Sequence, residues 1–432
     1  MVSSAIAFEE LNDSKKAGSG MVERIVVTGM GAVTPLGLDM PSTWAAMLAG
    51  ESGAGSITLF DASPFRVQFA AEIKGFEPTN YMDRKTARRS DRVVQIALAA
   101  AGEALRQAGL EITDEMADDV GIIVGTGIGG EKTRYDQIQI LFEEGPSRVS
   151  PFTLARILPD MPAGQLAISY GARGPNHCVS SACATGADAI GDAFEIIRRG
   201  DAAAVITGGT ESCMVPSALV AFDRSGVLAH CDGDPRVACR PFDATRDGLL
   251  MAEGAVILIL EGLSFARRRG ARPLAEVMGY GATADAFHIA APCEEGAGAA
   301  KAIQRALRKA GLESKDIDYI HAHGTGTRLN DRLETLAIKR AFGERAYQVP
   351  ISSTKSMTGH MMGAAGAMGA AVAVMSILEN KVPPTINLHT PDPECDLDYV
   401  PNQARDVPVR TAMVNAFGFG GHNAVLIFRE RR

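Results

Sequence analysis

The sequence predicts an α/β protein built from two similar halves. Apolar, β-rich runs alternate with Ala-rich stretches of helical periodicity along the 432 residues. Hydrophobic residues make up 46% of the chain, which is enough to bury large sheets. An internal echo is the third observation: residues 119–127 resemble 316–326, and 181–186 resemble 356–360. Such a repeat indicates halves related by a pseudo-twofold axis.

Strands and helices are expected to alternate in order along the chain. Runs of aliphatic and β-branched residues predict strands, and longer stretches of Ala, Leu and charged residues predict helices. The expected strands are 24–28, 120–125, 203–208, 255–261, 317–323, 349–353 and 424–428. The expected helices are 90–107, 184–198, 298–310, 331–342 and 361–378. This alternation favours largely buried sheets.

Three segments follow from this reading. Residues 1–20 hold acids and lysines but no apolar core and no arginine, so they are expected to be a disordered extension or a cloning remnant. The first half is expected over 21–270 and the second over 271–432. A pseudo-twofold axis would bring their two strand–helix junctions together.

Composition excludes several classes of protein. The net charge of −8 argues against general nucleic-acid binding. The seven cysteines are scattered with no CxxC pair, so we expect neither a metal site nor a disulfide framework, and a reducing cytoplasm fits best. No apolar run is judged to approach the roughly 18 residues of a membrane span.

Cys183 is the candidate nucleophile. It precedes Ala184-Thr185-Gly186, where a helix is expected to begin. A helix N-terminus can lower the pKa of a cysteine from about 8.5 into a range of roughly 3.5–7.5. The alternative is a buried, inert cysteine, which is the commoner fate of a lone thiol.

His323 and His360 are the candidate imidazoles. His323 leaves a predicted strand into a Gly/Thr loop, and His360 stands at the start of an apolar helix whose dipole would favour the neutral ring. Neutral imidazoles donate hydrogen bonds to a developing enolate. Each histidine taken alone is more often structural than catalytic.

Lys355 and Glu334 lie close in sequence to these histidines. Such charges can tune a site and orient its imidazoles, although the plain alternative is a solvated ion pair. A thiol with two imidazoles can serve both halves of carbon–carbon bond formation, because the thiol holds an acyl group and the imidazoles assist the carbanion. Acyl transfer with condensation is therefore the first hypothesis.

These motifs together resemble the β-ketoacyl-[acyl-carrier-protein] synthase family, specifically its elongating type II condensing enzymes. The Cys183, His323 and Lys355/His360 motifs occur in the family's order, and residues 415–423 are similar to its gating loop. The resemblance covers roughly residues 22–430. It implies a thiolase-like layered αβαβα fold, a cytoplasmic homodimer, and acyl-carrier-protein as partner.

The resemblance also implies an activity and roles. Cys183 would accept an acyl group, and His323 and His360 would assist decarboxylation of malonyl-carrier, whose enolate attacks the Cys183 thioester. No cofactor is implied, since the substrates carry phosphopantetheine. Phe419 would act as the gate and supply an oxyanion-hole amide together with Cys183.

Further positions follow from the same resemblance. Thr325 and Thr327 would contact the pantetheine arm, and Ile128 would line the acyl pocket. The chain departs from the usual pattern at three places. His321 replaces Asn, His422 replaces Thr, and Thr153 replaces a Phe near the acyl pocket.

A basic run stands out in this acidic chain. It is formed by Arg84, Lys85, Arg88, Arg89 and Arg92. The plain reading is a solvated helix face, and the sharper reading is a docking patch for the acidic carrier protein, joined by Arg224. The resemblance favours docking.

Three other functions are weighed against condensation in fatty-acid elongation. The Gly-rich run 125–130 fits GxGxxG after a strand, but it lies mid-domain in a Gly-rich chain, so nicotinamide binding is disfavoured. A condensing enzyme for a polyketide or an acyl signal would share the same site. A catalytically silent carrier-binding subunit is a different class, and Cys183 argues against it.

Overall fold

The computed structural model describes residues 23–431, so the extension expected at 1–20 lies outside it. Ten strands form one mixed sheet. They are β1 (Ile25–Val33), β2 (Val120–Gly125), β3 (Asn176–His177), β4 (Ala204–Glu211), β5 (Gly254–Gly262), β6 (Ala275–Ala284), β7 (Tyr319–His321), β8 (Ile351–Ser352), β9 (Thr411–Gly418) and β10 (His422–Arg429). Short antiparallel pairs lie at Gly55–Ser56 with Phe69–Ala70 and at Lys381–Val382 with Arg405–Asp406.

The sheet consists of two halves with the same topology. Its strand order is β8-β7-β9-β10-β6-β1-β5-β4-β2-β3, so the order β1-β5-β4-β2-β3 repeats as β6-β10-β9-β7-β8. Pairing directions also repeat: β4 is parallel to β2 and antiparallel to β5, as β9 is to β7 and β10. The halves join through three residue pairs of β1 and β6. The predicted pair of similar halves is confirmed.

Helices complete five layers. They are α1 (Met40–Ala49), α2 (Arg84–Arg89), α3 (Arg92–Ala108), α4 (Glu131–Glu143), α5 (Thr153–Ile157), α6 (Met161–Tyr170), α7 (Thr185–Arg199), α8 (Pro216–Arg224), α9 (Leu263–Arg268), α10 (Ala297–Ala310), α11 (Arg328–Phe342), α12 (Lys355–Thr358) and α13 (Ala365–Glu379). The middle layer is α7 and α13, which contact each other and both halves of the sheet. The outer faces are covered by α3 on one side and by α10 and α11 on the other. This is the expected αβαβα arrangement.

Close approach of the two central helices depends on glycine. A Cβ on Gly186 of α7 would lie 2.7 Å from the Ala367 nitrogen, and one on Gly366 of α13 would lie 2.5 Å from the Ala187 nitrogen. Backbones this close leave no room for a side chain. The contact brings the N-terminal ends of both helices, and the turns before them, to one place.

Three strands of the sheet were not expected, and one membrane estimate was wrong. β3 is only two residues long, and β6 and β9 carry glycine, alanine or polar residues that weaken the apolar strand signal. Within residues 23–431, the segment Met362–Glu379 is apolar and long enough to span a membrane, although no such run was expected. It is 83% buried, which fits the core helix α13.

Candidate active site

Cys183 lies on a tight turn before α7. A 3₁₀ turn at Ala182–Ala184 connects the chain after β3 to the helix, and Ala182 takes a φ of +51°. A positive φ in a non-glycine residue is a strained conformation that the surroundings must hold. The half-buried Cys183 side chain lines a cavity of about 340 Å³. The thiol therefore stands just outside the first turn of the helix.

The expected fall in the pKa of Cys183 is wrong. Burial raises the pKa of the thiol to about 12, although the nearby Lys355 ammonium opposes the rise. The loss of solvent around the thiolate outweighs the favourable charge. The candidate nucleophile is therefore a protonated thiol at rest.

We expect this raised pKa to control alkylation of the free enzyme. Because only the thiolate reacts, the rate at Cys183 with iodoacetamide should rise about tenfold per pH unit from about pH 7 to about pH 10 without a plateau. Peptide mass spectrometry after timed quenching measures the rate at this residue. A cysteine-containing peptide serves as control and should level off near its ordinary pKa of about 8.5. A plateau at Cys183 below about pH 8 would instead support the dipole-lowered thiol.

His360 lies on the matching turn of the second half. The 3₁₀ turn Met362–Ala364 precedes α13 as Ala182–Ala184 precedes α7, and Met362 also has a positive φ, +44°. The Met362 backbone N–H donates to His360 Nδ1 over 3.1 Å. With Nδ1 accepting, the proton of the neutral ring is on Nε2.

His323 follows β7 and is held by its backbone. Glu334 Oε1 accepts from the His323 N–H at 2.8 Å, and Oε2 accepts from the Gly324 N–H at 2.7 Å. Lys355 Nζ donates to the His323 carbonyl oxygen at 2.5 Å. Lys355 and Glu334 were expected to tune the charge of the site and orient its imidazoles, and both bind the main chain around His323 rather than a ring. Asn415, whose amide donates to Glu334 at 3.0 Å, completes the group.

The two imidazoles meet in the cavity and are neutral. Their ring centroids lie 5.5 Å apart in an edge-to-face arrangement. Burial holds the pKa of both His323 and His360 well below the usual value, and the Lys355 charge adds to the effect. The expected neutral state is present, but its cause is burial rather than a helix dipole, because His360 precedes the turn that leads into α13. Burial also lowers the pKa of Lys355, although the nearby charge of Glu334 opposes this fall.

The loop between β9 and β10 closes one side of the cavity. Phe419 and Cys183 direct their backbone N–H groups toward the Cys183 sulfur. The Phe419 side chain is 38% exposed and lines the cavity. Gly420 and Gly421 take φ values of +84° and +74°, which favour glycine, and the Gly420 N–H donates to the Ile289 carbonyl at 2.7 Å. His422 lies exposed at the start of β10.

The predicted substrate-contact residues are placed unequally. Thr325 and Thr327 line the cavity, and their hydroxyl oxygens lie 2.9 Å apart. Ile128 packs in the apolar cluster that contains Cys183 but does not line the cavity. Thr153 begins α5 and bonds to the Ser150 carbonyl, so it is not part of the cavity wall formed by its own chain.

The basic run divides between surface and interior. Arg84, Lys85, Arg88 and Arg89 are exposed on α2, and Arg224 is exposed at the end of α8, two residues from a cavity-lining glycine. Arg92 instead points inward and forms a buried ion pair with Glu253 at 2.7 Å. Arg92 therefore leaves the predicted patch.

The hydrogen-bond donors of the Gly-rich run after β2 already bind a carboxylate of the protein. The Gly127 and Ile128 N–H groups and the Thr126 hydroxyl donate to the carboxylate of Glu211. These are the groups a dinucleotide phosphate would need. Glu211 was missed from sequence, where its one signal is a lone acid at the end of an apolar strand. Among residues 23–431 there is no cluster of three or more His, Cys, Asp or Glu able to hold a metal ion.

Comparison with known proteins agrees with this fold and site. Residues 22–266 match the Beta-ketoacyl synthase N-terminal domain and 274–389 match the Beta-ketoacyl synthase C-terminal domain. The chain belongs to the β-ketoacyl synthase family, a family of condensing enzymes of the acyltransferase class, as its motifs predicted.

Particular relatives sharpen the assignment. The chain is 49% identical over 94% of its length to "3-oxoacyl-[acyl-carrier-protein] synthase 2" of Staphylococcus aureus (strain N315), and covers 98% of that protein. The same identity and coverages hold for the enzyme of that name from Synechocystis. A solved type II polyketide ketosynthase in complex with its acyl-carrier protein has a TM-score of 0.88 at 32% identity, over 95% of this chain and 100% of that one. The predicted activity, condensation in fatty-acid elongation, is that of the relatives most similar in sequence among these.

Proposed function

We propose that this chain condenses an acyl-enzyme thioester with malonyl-acyl-carrier-protein, with loss of CO₂, to give 3-oxoacyl-acyl-carrier-protein in fatty-acid elongation. The observation that carries the proposal is the meeting of Cys183, His323 and His360 at one cavity. Relatives at 49% identity named 3-oxoacyl-[acyl-carrier-protein] synthase 2 support it over a polyketide activity, for which the identity is 32%.

The first half-reaction is acyl transfer. The Cys183 sulfur attacks the thioester carbonyl of the acyl carrier, the carrier thiol leaves with the proton, and Cys183 holds the acyl group. The Cys183 and Phe419 N–H groups both face this sulfur, so they are placed to stabilise the oxyanion that forms beside it. Because the resting thiol is protonated, its proton must leave during the attack, and the departing carrier thiol takes it up.

The second half-reaction is decarboxylation and carbon–carbon bond formation. Loss of CO₂ leaves an enolate, whose oxygen needs hydrogen-bond donors. His360 Nε2–H is such a donor, because Nδ1 is already engaged by Met362, and His323 lies beside it. The enolate carbon attacks the Cys183 thioester, the sulfur leaves as thiolate, and a proton taken up from solvent restores the thiol.

The remaining predicted residues position these groups and the substrate. Lys355 and Glu334 hold the backbone of His323, and Lys355 lowers the pKa of both imidazoles. Thr325 and Thr327 are placed on the cavity wall where a pantetheine arm would pass. Phe419 acts as the gate, and its glycine neighbours allow the movement. No cofactor beyond the carrier's own phosphopantetheine is required.

The exposed basic residues of α2, with Arg224, form the docking surface for the acidic carrier protein. We expect the double reversal Lys85→Glu and Arg88→Glu to raise the KM for carrier substrates about tenfold with little change in kcat, because docking precedes chemistry. The effect should shrink at high salt. The matched control is Lys301→Glu with Arg308→Glu, exposed on α10 of the other half. An equal KM rise in the control would place docking elsewhere.

We further propose that the protein is a cytoplasmic homodimer. Within each chain, the boundary between the two halves lies near residue 270. Exposed apolar side chains cluster along 138–168, and the adjacent β3 is an open sheet edge. Such an edge can pair with a second copy of the chain. All seven cysteines are free thiols, which suits a reducing compartment. Sedimentation showing only a monomer at micromolar concentration would contradict the dimer.

Intact mass spectrometry tests the activity. The enzyme incubated with a medium-chain acyl-carrier protein should gain one acyl group, and later addition of malonyl-carrier should release 3-oxoacyl-carrier and restore the free mass. An adduct without product would show that the protein accepts an acyl group but does not condense it with malonyl-carrier. Absence of any adduct across chain lengths would favour the silent carrier-binding subunit.

A further inference from the structure

Glu211 is a buried carboxylate outside the catalytic group. It ends β4 at the meeting of the two halves and is 0% exposed. Its Oε1 accepts from the Thr126 hydroxyl at 2.8 Å and the Ile128 N–H at 3.3 Å. Its Oε2 accepts from the Gly127 N–H at 2.7 Å and the Gly363 N–H at 3.1 Å. One carboxylate thus binds donors from both halves.

Of the two loops that bind Glu211, the first supports the segment before Cys183 and the second follows His360. On the first, the Gly127 carbonyl accepts from the Ser180 hydroxyl, three residues before Cys183, and the Ile128 and Cys183 side chains pack against the same apolar cluster. On the second, Gly363 follows Met362, whose N–H donates to His360 Nδ1. Consecutive amides therefore serve Glu211 and His360.

The fit around the carboxylate is tight on both sides. A Cβ added at Gly127 would lie 2.7 Å from Oε2, and one at Gly363 would lie 2.8 Å from the same oxygen. Burial raises the pKa of Glu211, and the four donors oppose that rise because each favours the ionised form. A glutamine in its place would turn its NH₂ group, which is a donor, toward two of these four donors.

We propose that Glu211 is a positioning residue for the condensation, which fixes the loop that supports the Cys183 segment against the turn that follows His360 and keeps His360 Nδ1 as the acceptor. This rests on the proposed function. Glu211 does not line the cavity and acts through the two loops that donate to it. Misplacement of reacting groups by about 1 Å can cost on the order of a hundredfold in rate.

The test compares Glu211→Gln with Glu253→Gln. Glu253 is equally buried and accepts four hydrogen bonds, from Arg92, Ser212 and the Ile73 N–H, but holds neither turn. We expect Glu211→Gln to lower kcat at least about tenfold with KM changed less than about twofold. Glu253→Gln should lower the melting temperature but leave kcat within about twofold. Equal kcat in Glu211→Gln and wild type, or equal kcat losses in both variants, would overturn the proposal.

Two further readouts keep the proposal falsifiable. Should Glu211→Gln not fold, Thr126→Val, which removes one donor, should lower kcat about threefold, and Thr126→Ser should restore it. The ¹⁵N shifts of His360 should show one Nε2–H tautomer in wild type and a mixture in Glu211→Gln. An unchanged tautomer would contradict the role. If the wild-type enzyme makes no 3-oxoacyl product, the proposed function fails, while the His360 shifts still decide the role of Glu211.

Discussion

Replacing Cys183 with alanine is expected to abolish condensation, with a loss on the order of a thousandfold or more. Alanine fills nearly the same space on the strained turn, so the fold should survive. Without the sulfur no thioester forms, and the enolate has no acyl group to attack. Product analysis of 3-oxoacyl-carrier and intact mass after acyl-carrier incubation measure the two losses together.

Cys178 provides the matched control for this substitution. It lies five residues earlier in the same segment and is a free, half-buried thiol, but it does not line the cavity. Cys178→Ala should retain the single acyl adduct and most of the product. Normal ketoacyl production by Cys183→Ala, or loss of the adduct in Cys178→Ala, would refute the assignment of the nucleophile.

The internal repeat made the architecture predictable. Both copies preserve a strand, a turn and a helix in the same order, so the echo between 119–127 and 316–326 identifies β2 with β7. The buried strands β5 and β10 contain uninterrupted runs of apolar residues, which predict a strand from sequence. The same signal is weak in β6, where glycines let the strand lie against the backbone of α10: a Cβ on Gly281 would lie 2.3 Å from the Ala302 carbonyl oxygen.

Residue types identified the site, but contacts decided what each residue does. Cys183, His323 and His360 stand in distinctive frames, so they could be proposed from sequence, and the fold brings them to one cavity. Glu334 and Lys355 could be proposed too, yet their partner, the main chain at His323, is a property of folding. The thiol's pKa was misjudged for the same reason, since desolvation depends on every neighbour while a helix dipole can be read locally.

Replacing His360 with alanine is expected to separate the two half-reactions. Decarboxylation should fall on the order of a hundredfold or more, because the enolate oxygen loses its Nε2–H donor. Acylation of Cys183 should persist within about tenfold, because its oxyanion donors are the Cys183 and Phe419 amides, which do not depend on the ring. Release of CO₂ from malonyl-carrier and the time course of the acyl adduct follow the two steps separately.

A second buried imidazole, His321, provides the control for His360→Ala. His321 is equally buried, bonds to the Thr354 hydroxyl through Nε2 at 3.0 Å and does not line the cavity. His321→Asn removes an imidazole while keeping hydrogen-bonding capacity, and both half-reactions should stay within about threefold of wild type. If His360→Ala slowed acylation as much as decarboxylation, the ring would have to serve both oxyanions, and the division of donors between imidazole and backbone would be wrong. Loss of CO₂ release in His360→Ala but not in His321→Asn would instead assign the enolate to His360, because only the first variant removes an imidazole that lines the cavity.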